Sequence, residues 1–155
     1  MATAENFSQM SCCSRLKVGA ILVKNGSILA HAWNGTPSGY HTNCCEERDI
    51  IYPTGFLDPQ EYIDMGYQPL ENELGWFRYK THSFVLHAEQ NILIKMAKST
   101  ESISGSDIYC THSPCPDCSK MLAQSGINAF YYRNEYRNSE GIEVLVSLGV
   151  KVEKI

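Results

Sequence analysis

Apolar and polar positions follow a clear period in only part of the chain. Val18 to Val23 is apolar and β-branched, Asn25-Gly26 is a strong hairpin turn, and Ile28 to Trp33 resumes as a strand. After His87, the residues Ala88, Ile92, Ile94 and Met96 are interleaved with Glu89, Gln90, Asn91, Lys95 and Lys98, which predicts a mostly buried helix over about 87–98. Asp107 to Thr111 reads as a strand, Cys115 to Ser125 as a helix stopped by Gly126, and Ala129 to Tyr132 as a strand. Ser139 to Leu148 reads as a helix stopped by Gly149, and Val150 to Ile155 as the last strand. A first helix over Glu5 to Ser14 is diluted by Ser and Cys. Between Cys44 and Lys80 no period holds, and Pro53, Gly55, Pro59, Gly66, Pro69 and Gly75 punctuate the stretch. It reads as an irregular insertion at about 44–80, with a short helical piece at Pro59 to Met65. A leading helix followed by β-β-α-β-α-β-α-β predicts one α/β domain over 1–155. Its architecture is a three-layer α/β/α sandwich around a mixed five-stranded sheet.

Composition adds exclusions. The chain has 155 residues, 43% of them hydrophobic and 19% charged, as expected of an ordinary globular domain with a real core. The formal net charge is −4, which argues against a nucleic-acid polymer as partner but not against a small nucleotide. No apolar run is long enough to span a membrane, and Met1 to Met10 lacks the basic start and apolar stretch of a signal peptide. Seven cysteines in such a chain point to a cytosol, with reduced thiols and metal ligands rather than a disulfide framework.

The chemistry lies in His87-Ala88-Glu89 and Pro114-Cys115-Pro116-Asp117-Cys118. Pro114 blocks continuation of the preceding strand, Pro116 suits a first helical turn, and Asp117 favours the helix dipole. Cys115 and Cys118 therefore lie one turn apart at a helix N-terminus, which lowers thiol pKa and favours the metal-binding thiolate. Alone, a C-x-x-C could be a redox pair, half of a structural zinc site, or two buried thiols. With His87 it completes a three-ligand set whose fourth position stays open for water. Glu89, two residues from His87, is then free for acid–base work.

H-x-E followed by P-C-x-x-C is the general signature of zinc nucleobase deaminases. Together with Lys17-Val18-Gly19-Ala20, Trp33-Asn34-Gly35-Thr36-Pro37-Ser38-Gly39, His87-Ala88-Glu89-Gln90-Asn91 and Asn134-Glu135-Tyr136-Arg137, it makes the chain resemble the deoxycytidylate (dCMP) deaminases of the zinc-dependent cytidine/deoxycytidylate deaminase superfamily. The resemblance runs from about Val18 to the C-terminus. It implies one catalytic Zn2+ on His87, Cys115 and Cys118, with Glu89 passing protons during hydrolysis of dCMP to dUMP and ammonia, a step that feeds dTMP synthesis. It also implies that Asn34 and Tyr136 contact the nucleotide. Ser113, with its neighbours Thr111 and His112, would line the base pocket. A monophosphate needs cations, and Arg15, Lys17, Arg133 and Arg137 are the candidates, Arg15 foremost. Relatives use the N-G-x-P-x-G loop for nucleotide effectors, dCTP activating and dTTP inhibiting, which would assign Gly35, Thr36, Pro37 and Gly39 to an allosteric site. Relatives are typically homo-oligomers, often hexamers.

Cys12, Cys13, Cys44, Cys45, His41 and His82 have no assigned role. Some viral members of the family carry a second, structural zinc in this region; the simpler reading is buried or idle thiols. A tRNA adenosine deaminase would want a basic stripe, and a free-cytidine deaminase usually has Cys where His87 stands. A relative acting on dCTP differs only in side-chain placement. A zinc-stabilised nucleotide sensor without turnover would have no need of Glu89.

Overall fold

Asn25 and Gly26 both adopt positive φ, 50° and 76°, and close a tight antiparallel hairpin between β1 (Gly19–Lys24) and β2 (Ser27–Trp33). The computed structural model describes residues 1–40, 45–52, 58–71 and 74–155. β1 also pairs antiparallel with β6 (Asp107–His112). β6 pairs parallel with β7 (Ala129–Asn134), and β7 parallel with β8 (Lys151–Lys154). The resulting mixed five-stranded sheet has the order β2-β1-β6-β7-β8, as the pattern predicts. The parallel half follows from its helical crossovers, α4 (Pro116–Gln124) and α5 (Glu140–Ser147).

Alternation along each strand separates the two faces of the sheet. Ala20, Leu22, Ala30, Ala32, Ile108, Cys110, Phe130 and Tyr132 point into one core with Ala88, Ile92 and Met96 of α3 (Ala88–Ala97), Leu122 of α4 and Leu145 of α5. On the opposite face α1 (Ala2–Ser8) lies so close that a Cβ on Gly19 would fall 2.1 Å from the Ala4 carbonyl oxygen. Phe7 stacks there on His31, with ring centroids 4.0 Å apart. α1 is shorter at its C-terminal end than the pattern predicts. Ser8 bonds its own helix at the Glu5 carbonyl, Ser11 donates to the Asn34 carbonyl, and the chain turns away to the pocket.

The insertion departs most from expectation. Among its described residues it is ordered as strands: β3 (Glu46–Ile51), β4 (Gln68–Pro69) and β5 (Trp76–Thr81) form a separate antiparallel sheet in the order β3-β5-β4. α2 (Pro59–Asp64) is capped by Asp58 and Glu61 in a reciprocal box. Tyr62 stacks on Trp76 at 5.0 Å, and Arg78 lies over Tyr67 at 4.6 Å. These strands escaped detection because charged and aromatic residues share both faces, so period-2 alternation is lost. Pro53, Gly55, Cys44 and His41 lie outside the described residues.

The expectation of reduced thiols throughout is corrected at one pair. Cys13 and Cys45 form a disulfide, with Cα atoms 5.0 Å apart, because the segment after α1 runs beside the start of β3. Cys12 is a free, exposed thiol, and His82 pairs with Glu47 at 3.3 Å. Cys13, Cys45 and His82 are therefore all engaged.

Candidate metal centre and nucleotide pocket

His87 is the N-cap of α3, and the Gln90 side chain reaches back to accept its backbone N–H at 2.8 Å. Cys115 is the N-cap of α4, and its sulfur accepts the Cys118 backbone N–H at 3.5 Å. Two helix starts thus converge as the motif demands. His87 Nδ1 lies 3.6 Å from Cys115 Sγ and 3.4 Å from Cys118 Sγ. Tetrahedral zinc places a nitrogen and a sulfur ligand about 3.5 Å apart, which both of these spacings match. Among the described residues this is the one cluster of His, Cys and carboxylates able to hold a metal.

The chemistry of the donors agrees. The Cys115 thiol is pulled down to about 4, first by the hydrogen bond from Cys118 and then by His87 and the backbone N–H. The same hydrogen bond pushes the Cys118 thiol up, with burial adding to it. A dication bound here would favour the thiolate form of both sulfurs. Gly141 seats α5 against this loop: a Cβ there would lie 1.9 Å from the Pro114 carbonyl oxygen. Ser119 Oγ bonds both the Cys115 and Gly141 carbonyls, at 3.0 and 2.7 Å.

Glu89 is 4% exposed on the first turn of α3. Burial pushes its carboxyl above the usual carboxylate range, which suits a group that must both take and give a proton. It opens with His87 and Cys115 onto a cavity of about 280 Å3. Asn34, His112, Ser113, Tyr136, Arg15 and Arg137 line the same cavity. Asn34 accepts the Val18 N–H and donates to the Leu16 carbonyl, both at 2.8 Å, so it also knits the cavity wall. Ser113 Oγ accepts the Tyr136 N–H at 2.8 Å and thereby holds Tyr136 at the rim. His112 takes a 3.0 Å contact from Thr111 Oγ1, and burial holds its pKa down.

Not every candidate converges. Arg133 pairs with Glu5 at 2.7 Å, and neither it nor Lys17 lines the cavity. Gly35, Thr36, Pro37 and Gly39 also lie outside its lining. Gly35 exchanges backbone hydrogen bonds with Leu86, at 3.0 and 2.9 Å, immediately before His87. Glu46 and Thr81 do line the cavity and were missed by motif reasoning. Glu46 sits in the segment without a period and Thr81 directly after it, and only the pairing of β3 with β5 brings them there.

Comparison with known proteins agrees with this geometry. The profile of the cytidine and deoxycytidylate deaminase zinc-binding region matches residues 1–134. The chain is 36% identical to the deoxycytidylate deaminase of Enterobacteria phage T4, over 94% of this chain and 82% of that protein. It is 58% identical to the dCMP deaminase of cyanophage S-TIM5, solved in complex with dCMP and dUMP; the TM-score is 0.76, with 99% of this chain and 92% of that chain covered. A diaminohydroxyphosphoribosylaminopyrimidine deaminase/reductase from Thermotoga maritima, at 19% identity and a TM-score of 0.62, shares the fold alone.

Proposed function

Because the chain belongs to the cytidine and deoxycytidylate deaminase zinc-binding family, we propose that its cavity hydrolyses dCMP to dUMP and ammonia. The observation that carries the reading is a buried carboxylate, Glu89, opening on one cavity with His87 and Cys115. His87, Cys115 and Cys118 would hold zinc, which would supply a Lewis acid and a water whose acidity is brought near neutrality. Glu89 takes a proton from the attacking water and delivers it to N3 of the pyrimidine. It then takes the proton of the new C4 hydroxyl and gives it to the amine departing from C4, so that C4 becomes the carbonyl. The glutamate ends as it began, since the proton is passed along rather than consumed. Asn34 keeps a second amide hydrogen for the sugar, while Ser113 and His112 flank the base. Tyr136, with the Arg137 guanidinium 4.9 Å over its ring, and Arg15 face the sugar and phosphate.

Ammonia release from dCMP, dCTP, deoxycytidine and cytidine, each offered separately to the zinc-loaded protein, tests the reaction and its substrate. Turnover mainly of dCMP supports the reading. Turnover of dCTP keeps the chemistry but overturns the monophosphate assignment. No turnover of any would bring forward a missing effector, another base or a nucleotide sensor, with dCTP addition as the next step.

The proposal extends to regulation. A nucleotide on the Gly35, Thr36, Pro37 and Gly39 loop would act on His87 through the Gly35–Leu86 pairing. dCTP should then sharpen, and dTTP suppress, the dCMP saturation curve; a hyperbola unmoved by either discards the effector site. A homo-oligomer, a hexamer by analogy, is checked by light scattering. The single domain reading, a cytosolic location and supply of dUMP towards dTMP complete the proposal. No helix among the described residues is long and apolar enough to cross a membrane. The Cys13–Cys45 disulfide is the exception to an otherwise reduced set of thiols among the described residues, and a free-thiol count on protein purified without reductant checks it.

A further inference from the structure

We infer that the inserted three-stranded sheet is the phosphate-selecting wall of the pocket, and that Glu46 and Thr81 are positioning residues which hold Arg15 for the 5′-phosphate; this rests on the dCMP reading above. Glu46 begins β3 and is 7% exposed. Its Oε1 accepts the Arg15 backbone N–H at 3.2 Å, and its Oε2 accepts the Ser14 N–H and hydroxyl at 3.2 and 3.1 Å. Opposite it on β5, Thr81 is its cross-strand partner, and Thr81 Oγ1 accepts from Arg15 Nη1 at 3.2 Å. One residue pair of the inserted sheet therefore holds both ends of a single arginine, the backbone and the guanidinium.

The arrangement has a physical rationale. A long arginine side chain at a cavity mouth samples many rotamers, and ordering it on binding costs affinity. Prior hydrogen bonding to Thr81 reduces that cost. It leaves the other guanidinium N–H donors for a phosphate, which an arginine fork matches. The Glu46 oxygens are engaged by N–H and O–H donors of the 14–15 segment, so this carboxylate acts on the segment's shape. The next residues along, Cys13 and Cys45, are covalently joined. The segment is thus fastened to the inserted sheet at successive positions, and Arg15, Glu46 and Thr81 all line the cavity that contains Glu89.

The test compares dCMP with deoxycytidine, by KM and kcat and by calorimetric binding to the zinc-loaded protein. The variants are Arg15→Ala, Thr81→Val, Glu46→Ala and the double variant Thr81→Val/Arg15→Ala. Thr81→Val removes one acceptor at the cavity edge and guards against a Glu46→Ala protein that fails to fold. Thr81→Val should weaken dCMP roughly 3–10-fold, the scale of one lost hydrogen bond, and Glu46→Ala, which loses three, by at least as much. The loss should fall on KM and Kd rather than kcat, and the preference for dCMP over deoxycytidine should shrink accordingly. In the Arg15→Ala background, Thr81→Val should add nothing further. Selective loss of dCMP in Arg15→Ala with none in Thr81→Val or Glu46→Ala overturns this inference alone. So does an effect of Thr81→Val that persists undiminished without Arg15. Equal weakening of both substrates by Arg15→Ala removes phosphate binding, and the wall's role with it. Absence of any dCMP binding overturns the function reading and this inference together.

Discussion

The metal wall of the pocket and the wall facing it are assembled from different kinds of chain. On the metal side, two helix starts deliver His87 and Cys115 across 28 residues, and each start is written in its own few residues. On the facing side, Arg15 is held by Glu46 and Thr81, 31 and 66 residues away, and no short stretch announces the arrangement. The first wall is locally encoded and rigid, packed against the main core through Ala88, Ile92 and Leu122. The second depends on a small satellite sheet. On the proposed reading, chemistry belongs to the first wall and substrate choice to the second, so changes to the two should produce different symptoms.

The largest effect should come from Cys118→Ala. It removes a buried ligand, so metal analysis should find little zinc and turnover should vanish for every nucleotide. Retained zinc with activity would break the three-ligand assignment. Glu89→Gln should keep the zinc yet lose roughly 10²–10⁴-fold in kcat, the range for a removed acid–base group. Near wild-type turnover in the zinc-loaded variant would refute the proton-shuttle role. Gly141→Ala should cost at least about 1–3 kcal/mol of stability, as overpacking does, because its Cβ has no space beside the Pro114 carbonyl. Calorimetry should show a lower Tm and zinc analysis a weaker site; an unchanged Tm would mean that α5 does not brace the metal loop.

The smallest effect belongs to the facing wall. Hydrogen bonding from Arg78, foremost, holds the Asp49 carboxyl of β3 below the usual carboxylate range. A depressed carboxyl binds fewer protons when folded, so it stabilises at neutral pH and loses that contribution as pH falls through the folded value. Asp49→Asn should therefore lower Tm slightly at pH 7 and match the parent chain well below pH 3.8, the ordinary Asp value. An equal deficit at both pH values would mean that the residue acts through packing rather than charge. Being exposed, the pair should matter little to the metal wall.

Local signals sufficed for much of the main sheet. Asn25-Gly26 sets the hairpin, Pro116 and Gly126 bracket α4, and Gly149 follows α5. Each needs only its neighbours, because caps, turns and helical periods are short-range. The zinc ligands and Glu89 were legible for the same reason, lying within two residues of a helix start. β3 and β5 were not, since a strand is defined by its partner, and Arg48 over Phe77 or Asp49 beside Arg78 makes sense only once the two strands lie side by side.

The amino-acid sequence by itself determined the His87, Cys115 and Cys118 cluster, the place of Glu89 beside it and the architecture of the main sheet, through interactions spanning a few residues each. Only the tertiary structure decided that Cys13 joins Cys45, that Asn34 knits the cavity wall, and that Glu46 and Thr81 meet at Arg15. Those contacts link segments tens of residues apart, and they exist only after long loops have closed and strands have found their register.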